Sequence, residues 1–542
     1  MSTLKNPNQI KNDITFGIIE IGESAGKLSL DFIYIFKDKL NLGDVVRLED
    51  AVKCKYELYI CCTYNRNDAQ KKLEGMGLNY KKDYYFAEDF FYLLDDWKKK
   101  KIAYKSYPGT FKGCLKAIAF GFVAKHGKNI PKKNQRLFYA VNLVPGLLET
   151  FPQVFAKSKE YEKYDYICFE SVSDAIRYKE DYPLSRDRVI TVEELRTHTM
   201  ASKYMSATYF DKRQNSCACD MPFDMLWIGR EGSSRLCECP DYLDVGCGNI
   251  GVTDIQEAWQ SPLAKIIRLS AVNNTYTFCS RELCGLLSED KECDTILERR
   301  EVEEILSPLH INVAIDTVCN LHCPSCRKSL CAKNNENAEL VVKTCTDAIL
   351  NSGWLESAEE LMVGGSGESF LSKHYKSVIY EGAGKRKNIV IMTNGTLFTP
   401  EEWKRLEGKY EHIGFMVSID AATKDTYEKV RCGGNFDKLM SNMDFLSNLR
   451  KENRVHSIIA IMIVQKANYK EIPDFIRWAK DKGFDRVNLS HIRNWGSFKA
   501  NEFYRNVSMF DRNGQMKPEL KMVLEDPVCN DPMVNRSWRV NE

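Results

Sequence analysis

Between residues 308 and 500 a short apolar run is followed by an amphipathic stretch six times over, and this rhythm limits the possible folds of the 542-residue chain more than any other feature. The apolar runs are 311–316 (INVAID), 360–364 (ELMVG), 388–393, 413–419, 456–464 and 487–491. Helical periodicity is expected at 338–349, 373–381, from 400, and at 424–449 and 470–483. Strands that alternate with helices pair in parallel, because each helix returns the chain to the start of the next strand. Six such steps predict an α/β fold with a partial (β/α)6 barrel, its functional loops at the C-terminal strand ends.

Cysteine carries the chemical signal. The chain has 20 cysteines and no signal-peptide pattern in its polar first twenty residues, so metal binding or catalysis is expected rather than a disulfide scaffold. Cys217, Cys219, Cys237, Cys239, Cys247, Cys279, Cys284 and Cys293 crowd one stretch, and Cys319, Cys323, Cys326 and Cys331 another. Cys54, Cys61, Cys62, Cys114, Cys168, Cys345 and Cys432 are scattered and read as small buried hydrophobes, and Cys529 as a plain surface or core residue. The first strand of the repeating run leads directly into Cys319, Cys323 and Cys326, a C-x3-C-x2-C spacing. Three thiolates on a tight loop can hold three corners of a cubane iron–sulfur cluster. Zinc would call for CxxC-like pairs or paired histidines, and the eight histidines show no such spacing here. If Cys331 closed the cluster as a fourth ligand, the chain would instead be a non-catalytic iron–sulfur or zinc protein that binds a partner.

The spacing, its strand-end position and the motifs that follow resemble the radical S-adenosylmethionine (SAM) superfamily over roughly residues 308–500. Gly364, Gly365, Gly367 and Glu368 occupy the place of the GGEP segment after the second strand, with Ser369 instead of the proline. Thr393 and Asn394 match the TNG after the third strand, and Ser418 and Asp420 the SxD that ends the fourth. Arg431 stands where relatives often carry a positive charge. The resemblance implies a [4Fe–4S] cluster with one open iron, which binds SAM through its amino and carboxylate groups. It further implies reductive cleavage of SAM to a radical that abstracts a substrate hydrogen, with an electron donor such as flavodoxin or ferredoxin. The glycine-rich segment would meet the methionyl amino group, the SxD segment the ribose and carboxylate, and Arg431 the cofactor carboxylate.

The preceding cysteine-rich stretch resembles a SPASM module, which carries auxiliary clusters. Cys219, Gly232 and Cys237 fit its CX9–15GX4C opening, and Gly248-Asn249-Ile250 with Ile255, Ala258 and Trp259 its GNI…W segment. Cys279 and Cys284 supply a closing pair, but the CX2CX5CX3C run is missing. One auxiliary [4Fe–4S] cluster is therefore expected, on Cys219, Cys237, Cys279 and Cys284, with Cys217, Cys239, Cys247 and Cys293 as substitutes and a zinc ribbon as the competing reading. The module precedes the SAM domain, whereas in the family it follows.

Residues 13–200 read as further α/β structure, Rossmann-like, with strands at 14–21, 57–63, 137–144 and 164–170. Gly17, Gly22 and Gly26 could open a nucleotide site but do not make GxGxxG, and structural glycines explain them equally. The expected organisation is 1–204 α/β region, 205–300 SPASM-like module, 308–500 SAM domain and 501–542 extension. A formal net charge of +2 gives no reason to expect a nucleic-acid partner, and the short lysine run 98–101 reads as a solvated helix end. The longest apolar stretch, 115–124, is too short for a membrane span, so a cytoplasmic enzyme is expected. Because the N-terminal region reads as α/β rather than a small winged peptide-binding domain, a carbohydrate or other small metabolite is the expected substrate, with a peptide-modifying maturase as the alternative. No catalytic acid or hydrogen donor is identifiable. His491, Arg493 and Asn494 lie near the sixth strand, where a substrate could bind or where they could simply cap or be solvated.

Overall fold

The computed structural model describes residues 14–22, 25–54, 56–99, 102–105, 165–169, 171–199, 201–211, 219–238, 242–243, 245–281, 284–288, 305–382 and 388–538. The expected strand 137–144, the apolar run 115–124 and Cys114, Cys217, Cys239 and Cys293 lie outside them. The chain divides into two compact units. One comprises 1–223 and 235–306, the other 224–234 and 307–542.

The first unit carries two parallel sheets. Strands β1 (Phe16–Glu20), β2 (Leu42–Arg47), β3 (Leu58–Cys62) and β4 (Tyr84–Phe86) pair in the order β2-β1-β3-β4. Strands β5 (Ile102–Lys105), β6 (Tyr166–Phe169) and β7 (Val189–Thr191) form the second. Cys61 packs with Ile19, Tyr59, Tyr84 and Phe86 as a core residue, as its apolar surroundings predicted. A Cβ on Gly17 would fall 2.6 Å from the Tyr56 ring, so this glycine serves packing inside β1 rather than a phosphate turn.

The second unit is built on a parallel sheet longer than the sequence rhythm suggests. Strand β8 (Met225–Ile228) lies inside the cysteine-rich stretch and turns at Gly229 toward β9 (Ser233–Arg235), with Gly229 N–H donating to Ser233 O at 2.8 Å. A two-residue strand, β10 (Gly248–Asn249), follows in the first unit. Then come β11 (His310–Val313), β12 (Glu360–Val363), β13 (Asn388–Thr393), β14 (His412–Ser418), β15 (Ser457–Val464), β16 (Arg486–His491) and β17 (Val534–Arg536). The order is β8-β11-β12-β13-β14-β15-β16-β17, and every pair among them is parallel. Six of these strands match the expected ones within a few residues. β8 and β17 were not expected, because runs of four and three residues show no readable period.

Burial alternates along the strands. Ile389, Ile391 and Thr393 of β13 are buried, while Asn388, Val390 and Met392 on the opposite face are half-exposed. The same holds for Leu361 and Val363 against Glu360 and Met362 in β12. One face is therefore sealed by apolar packing and the other is left accessible. The expected single helix 424–449 is two, Lys424–Val430 and Phe436–Lys451. The break falls at Gly433 and Gly434. Gly433 has φ +89°, and a Cβ on Gly434 would strike Tyr427 at 2.7 Å. Among the described residues no helix is long and apolar enough to cross a membrane.

Candidate functional site

The loops that carry the candidate residues all leave the C-terminal edge of the parallel sheet, where β/α folds place their ligands. The chain leaves β11 through Asp316, which is buried. Its Oδ1 accepts from Val318 N–H and Asn334 Nδ2, both at 3.1 Å, and its Oδ2 from Ser372 Oγ at 2.5 Å. This fixes the start of the cysteine loop. Cys319 N–H donates to Cys331 O at 2.8 Å and closes it. Cys331 Sγ lies 3.7 Å from Thr317 Oγ1 and 3.9 Å from the Lys333 carbonyl. Cys319 and Cys323 are buried and Cys326 is exposed.

Two arginines flank the thiols. Arg327 reaches Thr317 O at 2.7 Å, Ser366 O at 3.1 Å and Cys326 Sγ at 3.5 Å, tying the cysteine loop to the glycine-rich loop. Arg431 places Nη1 3.8 Å from Cys323 Sγ and Nε 2.8 Å from Asp420 Oδ2, a charge pair rather than an aligned hydrogen bond. The Leu321 N–H points to Cys319 Sγ at 3.4 Å. Burial pushes the Cys319 and Cys323 thiols above their ordinary range. The Leu321 N–H and Arg327 oppose this at Cys319, and Arg431 opposes it at Cys323. The cations and the N–H thus lower the cost of the thiolate form, which a metal ligand needs. Arg327 was not singled out in the sequence. A cation directly after a cysteine triad is the signal that could have drawn attention to it.

The glycine-rich loop packs onto the cysteine loop at van der Waals limits. A Cβ on Gly367 would stand 2.5 Å from Val318 O and 2.8 Å from Asp316 O, so only glycine fits. Gly365 has φ +100°, and a Cβ there would meet only Met392 Sδ at 3.5 Å, leaving its backbone open to a ligand. Ser369 donates to Met392 O at 2.7 Å, a bond no proline side chain could make. Glu368 is fully buried. It accepts from Thr393 Oγ1 at 2.5 Å, Asn394 N–H at 2.7 Å and Phe370 N–H at 3.2 Å. Burial raises its pKa and those donors pull it back. Glu368, Thr393 and Asn394 are thus brought together as one platform, and Asn394 Nδ2 also reaches Asn320 Oδ1 at 2.9 Å. Asp420 is buried at φ +69°. Its Oδ1 accepts from Ile463 N–H at 2.7 Å, so both carboxylate oxygens are engaged within the protein. Ser418 is half-exposed on the open face of β14.

In the first unit Cys219 and Cys279 pack on one apolar cluster of Phe223, Ala271 and Tyr276. Cys279 bridges to Leu243, and Cys284 N–H donates to Ser280 O at 2.9 Å. Ile255, Ala258 and Trp259 are buried on the short helix Ile255–Trp259, and Trp259 Nε1 donates to Ile305 O at 3.0 Å. Cys237 follows β9, and Cys247 is buried. Burial drives the Cys247 thiol up to about 12, with Arg268 and Arg235 acting in the opposite direction. Arg268 is wholly buried. Its Nε donates to Pro222 O at 2.9 Å and its guanidinium covers the Trp259 ring at 4.2 Å, but Nη1 and Nη2 have no hydrogen-bond partner. The Tyr34 phenol is close by without bonding geometry. A cation–π contact supplies about 2 kcal/mol when desolvated, less than the several kcal/mol that burying an uncompensated charge costs.

The donor set fits an iron–sulfur cluster. Among the described residues no three His, Cys, Asp or Glu side chains converge tightly enough for one metal ion, whose zinc–sulfur bonds would be about 2.3 Å. A cubane spreads its thiolates over separate iron atoms and asks for three cysteines around a wider volume. The Cys319–Cys326 loop, with cations on two sides and open glycine backbone beside it, meets that need.

No family model matches the chain. It is 24% identical over 178 residues to the mycofactocin maturase MftC of Mycolicibacterium smegmatis, covering 33% of this chain and 43% of that protein. It is 24% identical over 196 residues to the antilisterial bacteriocin subtilosin biosynthesis protein AlbA of Bacillus subtilis, 36% of this chain and 41% of that one. A GTP 3′,8-cyclase of Alkaliphilus oremlandii is 25% identical over 204 residues, 36% and 61% respectively. The chain therefore spans about half the length of the curated relatives it matches. Streptococcus suis SuiB bound to S-adenosylmethionine superposes on 42% of this chain and 47% of its own at a TM-score of 0.29 and 14% identity, too loosely to argue from. A strand-end thiol triad with glycine-rich and polar loops in fixed order is the arrangement that the resemblance to the radical SAM superfamily implies. The chain is similar to these enzymes over about a third of its length.

Proposed function

We propose that Cys319, Cys323 and Cys326 hold a [4Fe–4S] cluster with one open iron and that the enzyme abstracts hydrogen from a peptide. The observation that carries the first half is the thiol loop itself, anchored through Asp316 and flanked by Arg327 and Arg431. When bound, the cluster supplies one electron to SAM and so the radical that removes a substrate hydrogen. The chain's own residues do the rest. Arg327 locks the cysteine loop to the glycine-rich loop, the open backbone at Gly365 leaves room for the methionyl end of SAM, and the Glu368–Thr393–Asn394 platform holds both loops in place. The half-exposed face with Met362, Val390, Met392 and Ser418 leaves space for substrate on the sheet's open side, the interior of a partial barrel.

The peptide assignment replaces the small-metabolite expectation, which rested on fold analogy for the N-terminal region alone. It is supported by the names of two relatives, a maturase and a bacteriocin biosynthesis protein. An electron donor of the flavodoxin or ferredoxin kind and one auxiliary cluster complete the reading. The test is anaerobic reconstitution with iron, sulfide, SAM and dithionite, with short peptides encoded beside the gene offered as deuterated substrates. Deuterium in 5′-deoxyadenosine from a peptide supports the assignment. Deuterium only from GTP or a sugar nucleotide overturns the peptide half, and no 5′-deoxyadenosine at all overturns the whole.

A further inference from the structure

Two carboxamides with unpaired oxygens stand on the open face of the second unit's parallel sheet. Partners in register on parallel strands point to the same side. Trp227 of β8, Asn312 of β11, Met362 of β12 and Val390 of β13 therefore form one row across that face. Ser418 of β14, Ile461 of β15 and Asn488 of β16 form another. Trp227, Met362, Val390, Ser418 and Asn488 are half-exposed. Beyond the first residue of each strand, β8 and β11 to β16 set no charged side chain on this face.

Asn312 is 8% exposed, and its Oδ1 has no hydrogen-bond partner. Its Nδ2 reaches Met362 Sδ at 3.3 Å, and a thioether is a weak acceptor. The Oδ1 of Asn488 is likewise buried without a partner. A buried amide oxygen that accepts nothing destabilises the fold, and an aliphatic side chain would fill either position without that cost. The two oxygens thus point to a donor from outside the chain. Met362 covers Asn312 with a half-exposed, unbranched side chain that can swing aside. On the other flank a Cβ on Gly229 would stand 1.8 Å from the Trp227 ring, so glycine there lets the indole lie along the strand as a flat apolar wall.

We infer that Asn312 and Asn488 are specificity-determining residues that bind backbone amides of an uncharged peptide segment, with Trp227 as its apolar wall. The inference rests on the peptide reading above and narrows it. A peptide group offers one N–H donor and one C=O acceptor, which a carboxamide answers with Oδ1 and Nδ2. A charged side chain or a phosphate pressed against this face would lose its water and find no counter-ion on the strands, so the residue seated there is uncharged.

The test uses the reconstituted holoenzyme with SAM and no reductant. N-acetyl-leucine N′-methylamide and N-acetyl-lysine N′-methylamide are titrated against it by saturation-transfer NMR. The leucine derivative is expected to bind about tenfold more tightly than the lysine derivative, and about tenfold more tightly than it binds to Asn312→Leu or Asn488→Leu. Because each substitution removes an unpaired buried oxygen, the urea midpoint of the ligand-free variant should be unchanged or higher. A lowered midpoint would mark that carboxamide as structural and overturn its assignment. Undiminished binding of the leucine derivative by either variant would overturn that residue's role, and equal binding of the lysine derivative would overturn the restriction to uncharged segments. No binding of the leucine derivative to the unsubstituted enzyme would overturn the inference alone. Deuterium in 5′-deoxyadenosine from GTP and from no peptide, after dithionite is added, would overturn the peptide reading and this inference with it.

Discussion

Replacing Arg431 by methionine keeps most of the side chain's apolar volume and removes one charge from the centre of the site. Asp420, 1% exposed, then retains the Ile463 N–H at 2.7 Å on Oδ1, but Oδ2 loses the cation that stood 2.8 Å away. Breaking a buried ion pair from one side costs about 3–5 kcal/mol, because the remaining charge stays desolvated. Asp420→Asn in the same chain removes that charge and should recover most of the loss, leaving about 1–2 kcal/mol for imperfect hydrogen bonding. Urea unfolding of the cluster-free protein, followed by tryptophan fluorescence, measures both steps. A single variant that loses less than about 1 kcal/mol, or a double variant that loses more than the single, would show that the pair is not electrostatically coupled as the distances imply.

Other expected outcomes follow from the same geometry. Cys323→Ala should fold, bind less iron and form no 5′-deoxyadenosine, as read by iron analysis and chromatography; unchanged SAM cleavage would contradict the triad's role. Gly367→Ala forces a Cβ to 2.5 Å from Val318 O and should cost about 1–3 kcal/mol and reduce cluster loading, as read by urea unfolding and iron content. Burial lowers the pKa of His491, which packs against Phe510 at 5.4 Å. Below the ordinary histidine pKa the unfolded chain takes up a proton that the native state resists, so stability present above about pH 6.5 falls as the solution is acidified. His491→Phe should flatten that acid-side slope in urea midpoints measured from pH 7 to 5.

Much of the second unit was legible because its strands and helices are long enough to show a period. Lys373–Glu381 and Asn388–Thr393 coincide with the expected spans, and Glu336–Asn351 begins where the Asn335 side chain accepts from Ala338 N–H. β8 and β17 were hidden because four or three residues carry no period and gain strand character only from a neighbour already in place. The candidate site divides in the same way. The cysteine triad and the glycine-rich loop are local patterns and can be read in line. Arg327, and the engagement of Asp420 by Arg431, depend on distances between loops from different strands. Arg268 was invisible for a further reason. In the sequence it is one cation on an amphipathic helix, and only its complete burial without an anion makes it a chemical statement.

β8 lies directly beside β11 in parallel register, with Met225 opposite His310. The strand that launches the cysteine loop therefore has a sheet neighbour from inside the cysteine-rich stretch, and residues 235–306 form an excursion between two adjacent strands. Closing so long a loop is entropically unfavourable and slow compared with the local pairings among β12 to β16. Assembly of the sheet should thus proceed from its C-terminal side and finish at β8. A cluster bound within 235–306 would shorten the effective loop and hasten that last step, so that metal loading in one unit would set the pace at which the other is completed.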